Sequence, residues 1–280
     1  MKKKNFLRSI LGCSLAACIL TGCGGASSTA AGSSADAATD WDYIANKGSM
    51  TIGMTLFDPM NYYDTDGTTL IGFDTELAQA VCKKLGVEAE FVEIDWNNRL
   101  MELDSKKIDC IWNGMTIMES MKDAMEFSIP YSTNYQAVVI NQKNQDVYTD
   151  LESMAKANIG VEAGSAGEAA VAADEFLSQG NAIAVAAQRD NLLELKSGTL
   201  DVAVIDAVMA QASVGEGTDF ADLMLVPGIE LSKEEYGVGF RKGSDTAAKV
   251  NAALQELANE GFLEELGQKY PAVMVSLKAQ

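Results

Sequence analysis

Polar residues stand where predicted strands end and predicted helices begin, and these positions could bind charged groups. Asp206 directly follows an apolar strand predicted at 202–205, and its carboxylate could pair with a cation at that buried rim. The same carboxylate could instead cap the helix that begins at Ala207. Gly164 and Ser165 open another predicted helix, where free backbone N–H groups favour an anion.

A second group of candidates follows the buried strand predicted at 108–112. Asn113, Gly114, Met115 and Thr116 come directly after this strand. Backbone and hydroxyl groups at the carboxyl end of a strand are well placed to meet a ligand. The alternative interpretation is that the segment is only a turn.

Strands and helices alternate along the chain and predict the scaffold that positions these residues. The predicted strands are 49–54, 87–94, 108–112, 158–161, 182–185 and 202–205. The predicted helices are 74–85, 96–103, an alanine-rich stretch ending near 176, 190–196, 207–214 and 245–270. Asp74 is the predicted N-cap of the first helix, and Gly86 and Gly261 are predicted breaks. The alternation favours two α/β sheets over a sandwich.

Composition narrows the possible chemistry. The 280 residues include no histidine, which excludes Ser-His-Asp and Cys-His catalysis and mixed Cys/His zinc sites. We expect no metal and no cofactor.

The formal net charge is −19, so the surface repels nucleic acid and anionic lipid. Cys82 and Cys110 could pair in an oxidising compartment, but two buried free thiols are the interpretation that we favour.

The N-terminus has the features of an export signal. Basic side chains within residues 2–8 precede a mostly apolar run at 9–20. This arrangement is typical of a secretory signal peptide, and the apolar run is too short to span a membrane. We therefore predict a signal peptide at 1–22.

The apolar run ends in Leu20-Thr21-Gly22-Cys23, which resembles the bacterial lipobox. In that motif the cysteine becomes the first residue and carries lipid, so we predict lipidation of Cys23. Residues 23–40 are then expected to be a flexible tether, because Gly, Ser, Ala and Thr cannot bury enough surface to fold. The alternative is an ordinary signal peptide followed by an unmodified cysteine.

Five segments, in order and with matching spacing, resemble the substrate-binding proteins of polar amino-acid ABC transporters, which are family 3 solute-binding proteins. The segments are GFDTELA at 72–78, IDCIWNGMTI at 108–117, FSIPY at 127–131, SGTLDVAVID at 197–206 and YGVGFRK at 236–242. Each motif alone is a weak signal, but the resemblance covers essentially all of residues 41–275.

The resemblance implies an α/β fold of the periplasmic-binding-protein-like type II, in which two α/β lobes are joined by two hinge segments. The first lobe is expected at 41–131 and 238–280, and the second at 134–236. The hinges are expected near 132–133 and 236–239. A ligand would lie in the cleft between the lobes, and closure of the lobes would bury it.

The function that the resemblance implies is binding without catalysis. The chain is expected to be an extracytoplasmic lipoprotein and a monomer, attached to the bacterial cell membrane only through its lipid. It would capture a polar amino acid or a close relative and deliver it to the permease subunits of an ABC importer. Two alternatives stay open, a dehydratase-like enzyme on the same fold and a solute sensor for a membrane receptor.

An amino acid removed from water needs a partner for its ammonium group and another for its carboxylate. By the same resemblance, Asp206 takes the ammonium group. The helix start at Gly164 and Ser165 favours the carboxylate. Glu162 and Ala166 flank that loop and are expected to face the side-chain pocket.

Two aromatic residues match positions where the family has apolar or aromatic cleft walls. Phe57 and Trp96 would exclude water and stack on the ligand side chain. Ordinary core packing is the alternative for both. Trp112 lies within its strand and is expected in the core.

The sequence departs from the family at one position that matters for the ligand carboxylate. The family has an arginine five residues after the position of Thr116, and this chain has Met121 there. Lys122 is adjacent but is a point charge without the bidentate fork of arginine. Arg99 could supply the cation from another direction, the helix start at Ser165 could contribute more, or the ligand could lack a conventional α-carboxylate. Position 121 stays among the candidate contacts.

Overall fold

The structure, a computed structural model, describes residues 38–280 of the chain. The predicted signal peptide at 1–22, the predicted lipid site Cys23 and the predicted tether as far as residue 37 lie outside the described residues. No helix within 38–280 is both long enough and apolar enough to cross a membrane.

Helices and strands alternate through the described residues as the sequence predicts. The helices are α1 (Asp40–Lys47), α2 (Phe73–Leu85), α3 (Arg99–Asp104), α4 (Ala166–Ala173), α5 (Gln188–Ser197), α6 (Ala207–Ser213), α7 (Thr246–Asn259) and α8 (Phe262–Lys269). The strands are β1 (Ser49–Met54), β2 (Tyr62–Tyr63), β3 (Leu70–Ile71), β4 (Glu88–Glu93), β5 (Cys110–Thr116), β6 (Met125–Phe127), β7 (Ser132–Asn141), β8 (Asn158–Glu162), β9 (Asn181–Val185), β10 (Val202–Asp206), β11 (Leu223–Arg241) and β12 (Met274–Val275).

Ten of the strands in residues 38–280 form one hydrogen-bonded sheet. Its order is β4-β1-β5-β11-β7-β10-β8-β9, with β6 beside β11 and β12 beside β7. Strands β1, β4 and β5 are parallel to one another, and so are β8, β9 and β10. The antiparallel pair β7–β11 joins these two parallel groups. Parallel strands need long connections, usually helical, which accounts for the alternation along the chain.

The two long strands β7 and β11 were not predicted from sequence. Their pairing shifts register between Leu225 and Glu230. Pro227 has no N–H to give to a ladder, and Gly228 has a positive φ of 77°, so both residues interrupt the strand pattern. These strands matter for function because they carry polar side chains beneath the candidate site.

Strand β5 extends beyond its predicted end at residue 112 and includes Asn113 to Thr116. The extension forms because the backbone pairs with β11, where Met115 lies opposite Gly237 and Thr116 opposite Tyr236. The candidate residues of this segment therefore belong to a strand, and the interpretation of the segment as a turn is wrong.

The ends of helix α2 show one wrong and one confirmed prediction. Gly72 occupies the N-cap position and makes no side-chain cap, so Asp74 is not the N-cap. Asp74 instead points into the protein, where it is completely buried. The predicted stop at Gly86 is confirmed, because this glycine has the left-handed conformation that ends helices.

The predicted tether at 23–40 is too long at its C-terminal end, because helix α1 begins at Asp40 with Thr39 as its N-cap. Thr39 and Asp42 form a capping box, in which each side chain accepts a hydrogen bond from the other residue's backbone N–H. Asp40, the first residue of the helix, pairs with Arg241 at the end of β11 over 2.9 Å. The chain is thus part of the fold from Thr39 onward.

Arg241 has a complete set of partners. Besides Asp40, its guanidinium pairs with the fully buried Asp109 over 3.1 Å. It also donates hydrogen bonds to the carbonyl oxygens of Leu103 and Ile108. This cluster ties α1, α3 and β5 to β11.

The core confirms two further predictions. Trp112 is fully buried and packs beside Tyr131, with ring centroids 6.3 Å apart. Cys82 and Cys110 are free thiols, both buried in the same apolar cluster.

Candidate ligand-binding site

Eight of the eleven predicted ligand contacts line one enclosed cavity of about 20 Å³. They are Phe57, Trp96, Asn113, Gly114, Thr116, Ser165, Ala166 and Asp206. Thr55, Glu162 and Gln188 also line it. A space of this size holds about one water-sized molecule, so an amino acid requires the walls to stand farther apart than they do here.

The cavity lies at the carboxyl ends of strands from both parallel groups. Thr55 follows β1, and Asn113 lies in the second half of β5. From the other group, β8 ends at Glu162 and β10 ends at Asp206. Ligands of α/β proteins sit at this edge of the sheet, so the strand ends bring these residues together as the sequence predicts.

The side chain of Asn113 holds the first wall together. Its Oδ1 accepts hydrogen bonds from the backbone N–H and the hydroxyl of Thr55, at 3.0 and 2.8 Å. Its Nδ2 donates to the carbonyl oxygen of Thr55 at 2.9 Å and to Oδ1 of Asn61 at 2.7 Å. With its amide occupied in this way, Asn113 positions the strand ends around the cavity.

Gly114 must be glycine at this position. Its φ is +56°, and an added Cβ would lie 2.6 Å from the ring of Phe57. Its N–H donates to Oδ2 of Asp74 at 2.6 Å, and the hydroxyl of Tyr131 donates to the same oxygen at 3.0 Å. Burial raises the pKa of Asp74 to about 7. Asp74 was not predicted as a residue that positions the site, although it lies in the GFDTELA motif.

Asp206 is surrounded by side-chain amides. Asn134 Nδ2 and Gln136 Nε2 each donate to its Oδ1 at 2.6 Å, and Gln188 Nε2 donates to its Oδ2. Asp206 occupies the N-cap position of α6, as predicted, but its side chain makes no cap bond to the helix. Three donors hold the carboxylate in one orientation at the cavity wall.

Glu234, on β11, was not predicted and lies next to Asp206. Its Oε1 accepts from the same two amides, Asn134 at 2.5 Å and Gln136 at 2.8 Å. The hydroxyl of Thr116 donates to its Oε2 at 2.9 Å. Burial, followed by the charge of Asp206, raises the pKa of Glu234 to about 9. The second wall therefore carries two adjacent acids.

Glu162 is a third acid that lines the cavity. It is 3% exposed, and its Oε1 has no hydrogen-bond partner within residues 38–280. Burial, followed by the charge of Asp206, raises the pKa of Glu162 to about 8, while Arg99 acts in the opposite direction.

The start of α4 presents backbone N–H groups, but not those of Gly164. The Gly164 N–H donates to Glu168 Oε2 at 2.8 Å, so the prediction of a free donor there is wrong. Ser165 is the N-cap, and its hydroxyl accepts from the N–H of Glu168. The N–H groups of Ala166 and Gly167, in the first turn, have no acceptor within the helix. They are the donors that this helix offers to an anion.

Three predicted contacts do not line the cavity: Met115, Met121 and Gly164. Met115 packs in the apolar cluster with Leu103, and its backbone pairs with Gly237 of β11. Met121 belongs to the same cluster, and its sulfur lies 3.5 Å from Nη2 of Arg99. Gly164 turns its carbonyl oxygen to the same guanidinium.

Comparison with known proteins gives the family. A profile described as bacterial extracellular solute-binding proteins, family 3, matches residues 50–272. The chain belongs to this family. Solved relatives have the type II periplasmic-binding-protein fold, which confirms the fold that the motifs imply. As a member, the chain is an extracellular solute-binding protein.

Three similar proteins illustrate the range of ligands and functions described for relatives of this chain. The L-cystine-binding protein TcyJ of Escherichia coli (strain K12) is 29% identical over 233 residues, which cover 81% of this chain and 84% of TcyJ. An ancestral arginine-binding protein bound to arginine is 33% identical with a TM-score of 0.73, covering 80% of this chain and 98% of its own. The ancestral amino acid-binding protein AncCDT-1, a precursor of cyclohexadienyl dehydratase, is 28% identical with a TM-score of 0.73, covering 82% and 98%.

Proposed function

We propose that the chain is an extracytoplasmic lipoprotein of an ABC importer that binds an amino acid and delivers it to the permease. The observation that carries this proposal is the enclosed cavity at the strand ends, which has the Asp206 carboxylate on one side and the first turn of α4 on another. A zwitterion needs such a pair of opposite partners when it leaves water. Relatives described as cystine-binding and arginine-binding support an amino-acid ligand.

The two lobes of the proposal are 41–131 with 238–280, and 134–236. Strands β7 and β11 are the connections between them, with hinges near 132–133 and 236–239. The pairing supports this division, because β11 pairs with β5 at one end and only with β7 along the rest. Separation of the lobes would open the cavity to an amino acid, and closure would bury it.

In the proposed complex the ligand ammonium group binds Asp206, and its carboxylate lies near the N–H groups of Ala166 and Gly167. The side chain lies between Phe57 and Trp96, which are both almost fully buried and both line the cavity. Glu162 lies beside this region, so it would meet the distal end of the side chain.

The acidic side chains at the site favour a cationic ligand, whose charge would lower the raised pKa values of Glu162 and Glu234. Asp206, Glu234 and Glu162 lie at or beside the cavity wall, and Arg99 is the one cation of residues 38–280 that we place near them. A ligand with a guanidinium or amine side chain would neutralise an additional carboxylate and keep Glu162 ionised. We therefore propose arginine, lysine or ornithine ahead of neutral polar amino acids.

Attachment through a lipid on Cys23 is part of the proposal. Diacyl modification of that residue would hold the protein at the outer face of the cell membrane, because more than one acyl chain is needed for stable attachment. Labelling of cells with a clickable fatty acid tests this point. The chain should be labelled, and the Cys23→Ser variant should be released unlabelled.

A thermal-shift screen of the Cys23→Ser variant tests ligand binding. We expect cationic amino acids to raise the melting temperature most, since ligands that bind only the folded state stabilise it by mass action. Asp206→Asn should abolish the shift. Asp201→Asn is the matched control, because Asp201 lies at the opposite end of β10 and binds Asn158 there. Absence of a shift with every amino acid would contradict the proposal.

One observation favours a second candidate function. Oε1 of Glu162 is buried without a hydrogen-bond partner in residues 38–280, and the raised pKa of about 8 suits a general acid. One similar structure is a precursor of a dehydratase. An assay for elimination of water and carbon dioxide from prephenate-like acids separates the two functions, because a binding protein releases its ligand unchanged.

A further inference from the structure

Arg99 is a buried cation with no acidic partner among the described residues. Its side chain is 7% exposed, and none of the salt bridges within residues 38–280 involves it. Burial lowers the pKa of Arg99, and the charge of Glu162 opposes this effect. An unpaired charge removed from water costs several kcal/mol, so a buried arginine in this state is poised to bind an anion.

Within the part of the chain that the structure describes, the guanidinium of Arg99 donates only to neutral acceptors. Nη1 donates to the carbonyl oxygen of Trp96 at 2.7 Å, and Nη2 donates to that of Gly164 at 2.9 Å. Nε is buried and has no partner within the described chain. The guanidinium carbon lies 4.7 Å from the centre of the Trp96 ring, a cation–π contact that orients the group without neutralising it.

Glu162 does not remove this positive charge. It forms no hydrogen bond or salt bridge with Arg99 in residues 38–280, and its Oε1 has no partner. Burial raises the pKa of Glu162 to about 8, which weakens its electrostatic compensation of Arg99. No carboxylate of residues 38–280 lies in direct contact with the guanidinium.

The residues that Arg99 contacts border the cavity. Trp96 lines it, and Gly164 precedes Ser165 and Ala166, which also line it. A Cβ at position 164 would lie 3.3 Å from Nη1 of Arg99, and Gly164 has a positive φ of 70°. Glycine thus lets the guanidinium approach the start of α4 closely. An anion entering between Trp96 and α4 would meet both the guanidinium and the free N–H groups of the helix.

The bond from Arg99 to Gly164 connects the two parallel groups of strands. Arg99 begins α3, which packs on β5, whereas Gly164 lies between β8 and α4. The separation of the walls that the proposed function requires would remove this carbonyl oxygen from Nη2. Nη2 and Nε then offer two adjacent donors in the fork that suits a carboxylate.

We propose that Arg99 binds the carboxylate of the ligand amino acid, in place of the arginine that is absent at position 121. This inference rests on the proposed function. The sulfur of Met121 lies 3.5 Å from Nη2 of Arg99, so a guanidinium reaching from position 121 would compete for the same space. On binding, the ligand carboxylate replaces the Gly164 carbonyl oxygen as the acceptor of Nη2.

The test compares an amino acid with the amine that lacks only its carboxylate. Titration calorimetry on the Cys23→Ser protein uses L-arginine and agmatine, or L-lysine and cadaverine if lysine gives the larger thermal shift. We expect Arg99→Met to weaken binding of the amino acid about 100-fold, the range for a lost charged hydrogen-bonded pair. Binding of the amine should stay within about threefold, because it has no carboxylate to lose.

Relocation of the charge provides the second readout. The double variant Arg99→Met/Met121→Arg should bind the amino acid at least tenfold more tightly than Arg99→Met does. Lys122→Met is the matched control, because Lys122 is adjacent, half-exposed and paired with Glu119; it should leave both affinities unchanged.

The outcomes separate this inference from the proposed function. If the unaltered protein binds no amino acid, the proposed function is wrong and the inference is wrong with it. If the protein binds and Arg99→Met retains its preference for the amino acid over the amine, only the inference is overturned. An equal loss of both ligands also overturns it, since Arg99 would then support the fold of the site and not the carboxylate.

Discussion

Two buried arginines of this protein have opposite surroundings. Arg241 is 9% exposed and pairs with Asp40 and Asp109, and Arg99 is 7% exposed and pairs with neither an aspartate nor a glutamate of residues 38–280. At equal burial, the desolvation cost is offset within the fold for one and not for the other. The difference distinguishes an arginine that stabilises the structure from one that is available to a ligand.

The same contrast extends to the buried acids. Asp109 pairs with the cations Arg241 and Lys47. Among residues 38–280, Glu234 receives hydrogen bonds only from the neutral groups of Asn134, Gln136 and Thr116, and it lies beside Asp206. Internal cations thus compensate the acid far from the cavity, while the acid beside the cavity is supported by amides and keeps its capacity to attract a cation.

The largest expected effect comes from Arg241→Met. This change leaves Lys47 as the one cation that pairs with the completely buried Asp109 within residues 38–280. It also removes the shorter of the two ion pairs of Asp40 in that part of the chain. Breaking a buried pair by removing one side costs about 3–5 kcal/mol, and we expect a loss of that size in the free energy of unfolding measured with urea.

The neighbouring residue provides the control for that measurement. Lys242 is half-exposed and lies 3.8 Å from Glu126. Lys242→Met should change the free energy of unfolding by less than about 1 kcal/mol, as surface pairs do. A similar loss in both variants would remove the distinction between Arg241 and an ordinary surface cation.

An intermediate effect is expected in the pH dependence of stability. The folded-state pKa of Glu234 is raised to about 9, whereas its unfolded-state pKa is near the ordinary value of about 4.3. Between these values the folded protein retains a proton that the unfolded chain has lost, so stability decreases as pH rises. Glu162, with a pKa raised to about 8, contributes in the same direction.

Glu234→Gln should therefore make the decrease in stability with rising pH smaller without removing it. Between pH 5 and pH 8 we expect the ligand-free variant to lose roughly 1–2 kcal/mol less stability than the unaltered protein. Thermal melts at fixed ionic strength measure the difference. Parallel curves for the two proteins would show that Glu234 ionises as an ordinary glutamate does.

The smallest effect is expected for the stability of ligand-free Arg99→Met. Arg99 contributes two hydrogen bonds to carbonyl oxygens, but its removal also ends the cost of burying a charge, and methionine fills similar space against Met121. The free energy of unfolding should change by less than about 1 kcal/mol. A loss as large as that of Arg241→Met would place Arg99 among the structural arginines.

Local signals in the sequence were sufficient for much of the fold. The strand ends at Glu162 and Asp206 and the left-handed helix stop at Gly86 follow from apolar runs and glycine chemistry over a few residues. The long strands β7 and β11 do not follow from such signals, because their pairing joins distant segments and includes register shifts. Pairing of this kind depends on tertiary context.

The candidate site shows the same limit. Asp206 stands alone at the end of an apolar strand and could be predicted, whereas Glu234 lies in the charged run Lys233-Glu234-Glu235, which has the composition of an exposed segment. Its burial depends on β7, which supplies Asn134 and Gln136 across the ladder. The absence of arginine at position 121 was visible in the sequence, but the bonds from Arg99 to Trp96 and Gly164 required the fold.

The pairing of Asp40 with Arg241 also determines how mechanical load would enter the protein. Asp40 is the first residue of α1 and follows directly on the segment proposed to reach the membrane. A force applied along that segment would act on Asp40 and, through its ion pair with Arg241, on β11. Strand β11 is the strand that carries Glu234. Tension on the proposed anchor would therefore reach the strand beneath the ligand through non-covalent contacts of Asp40, which also include Lys106 and Ser244.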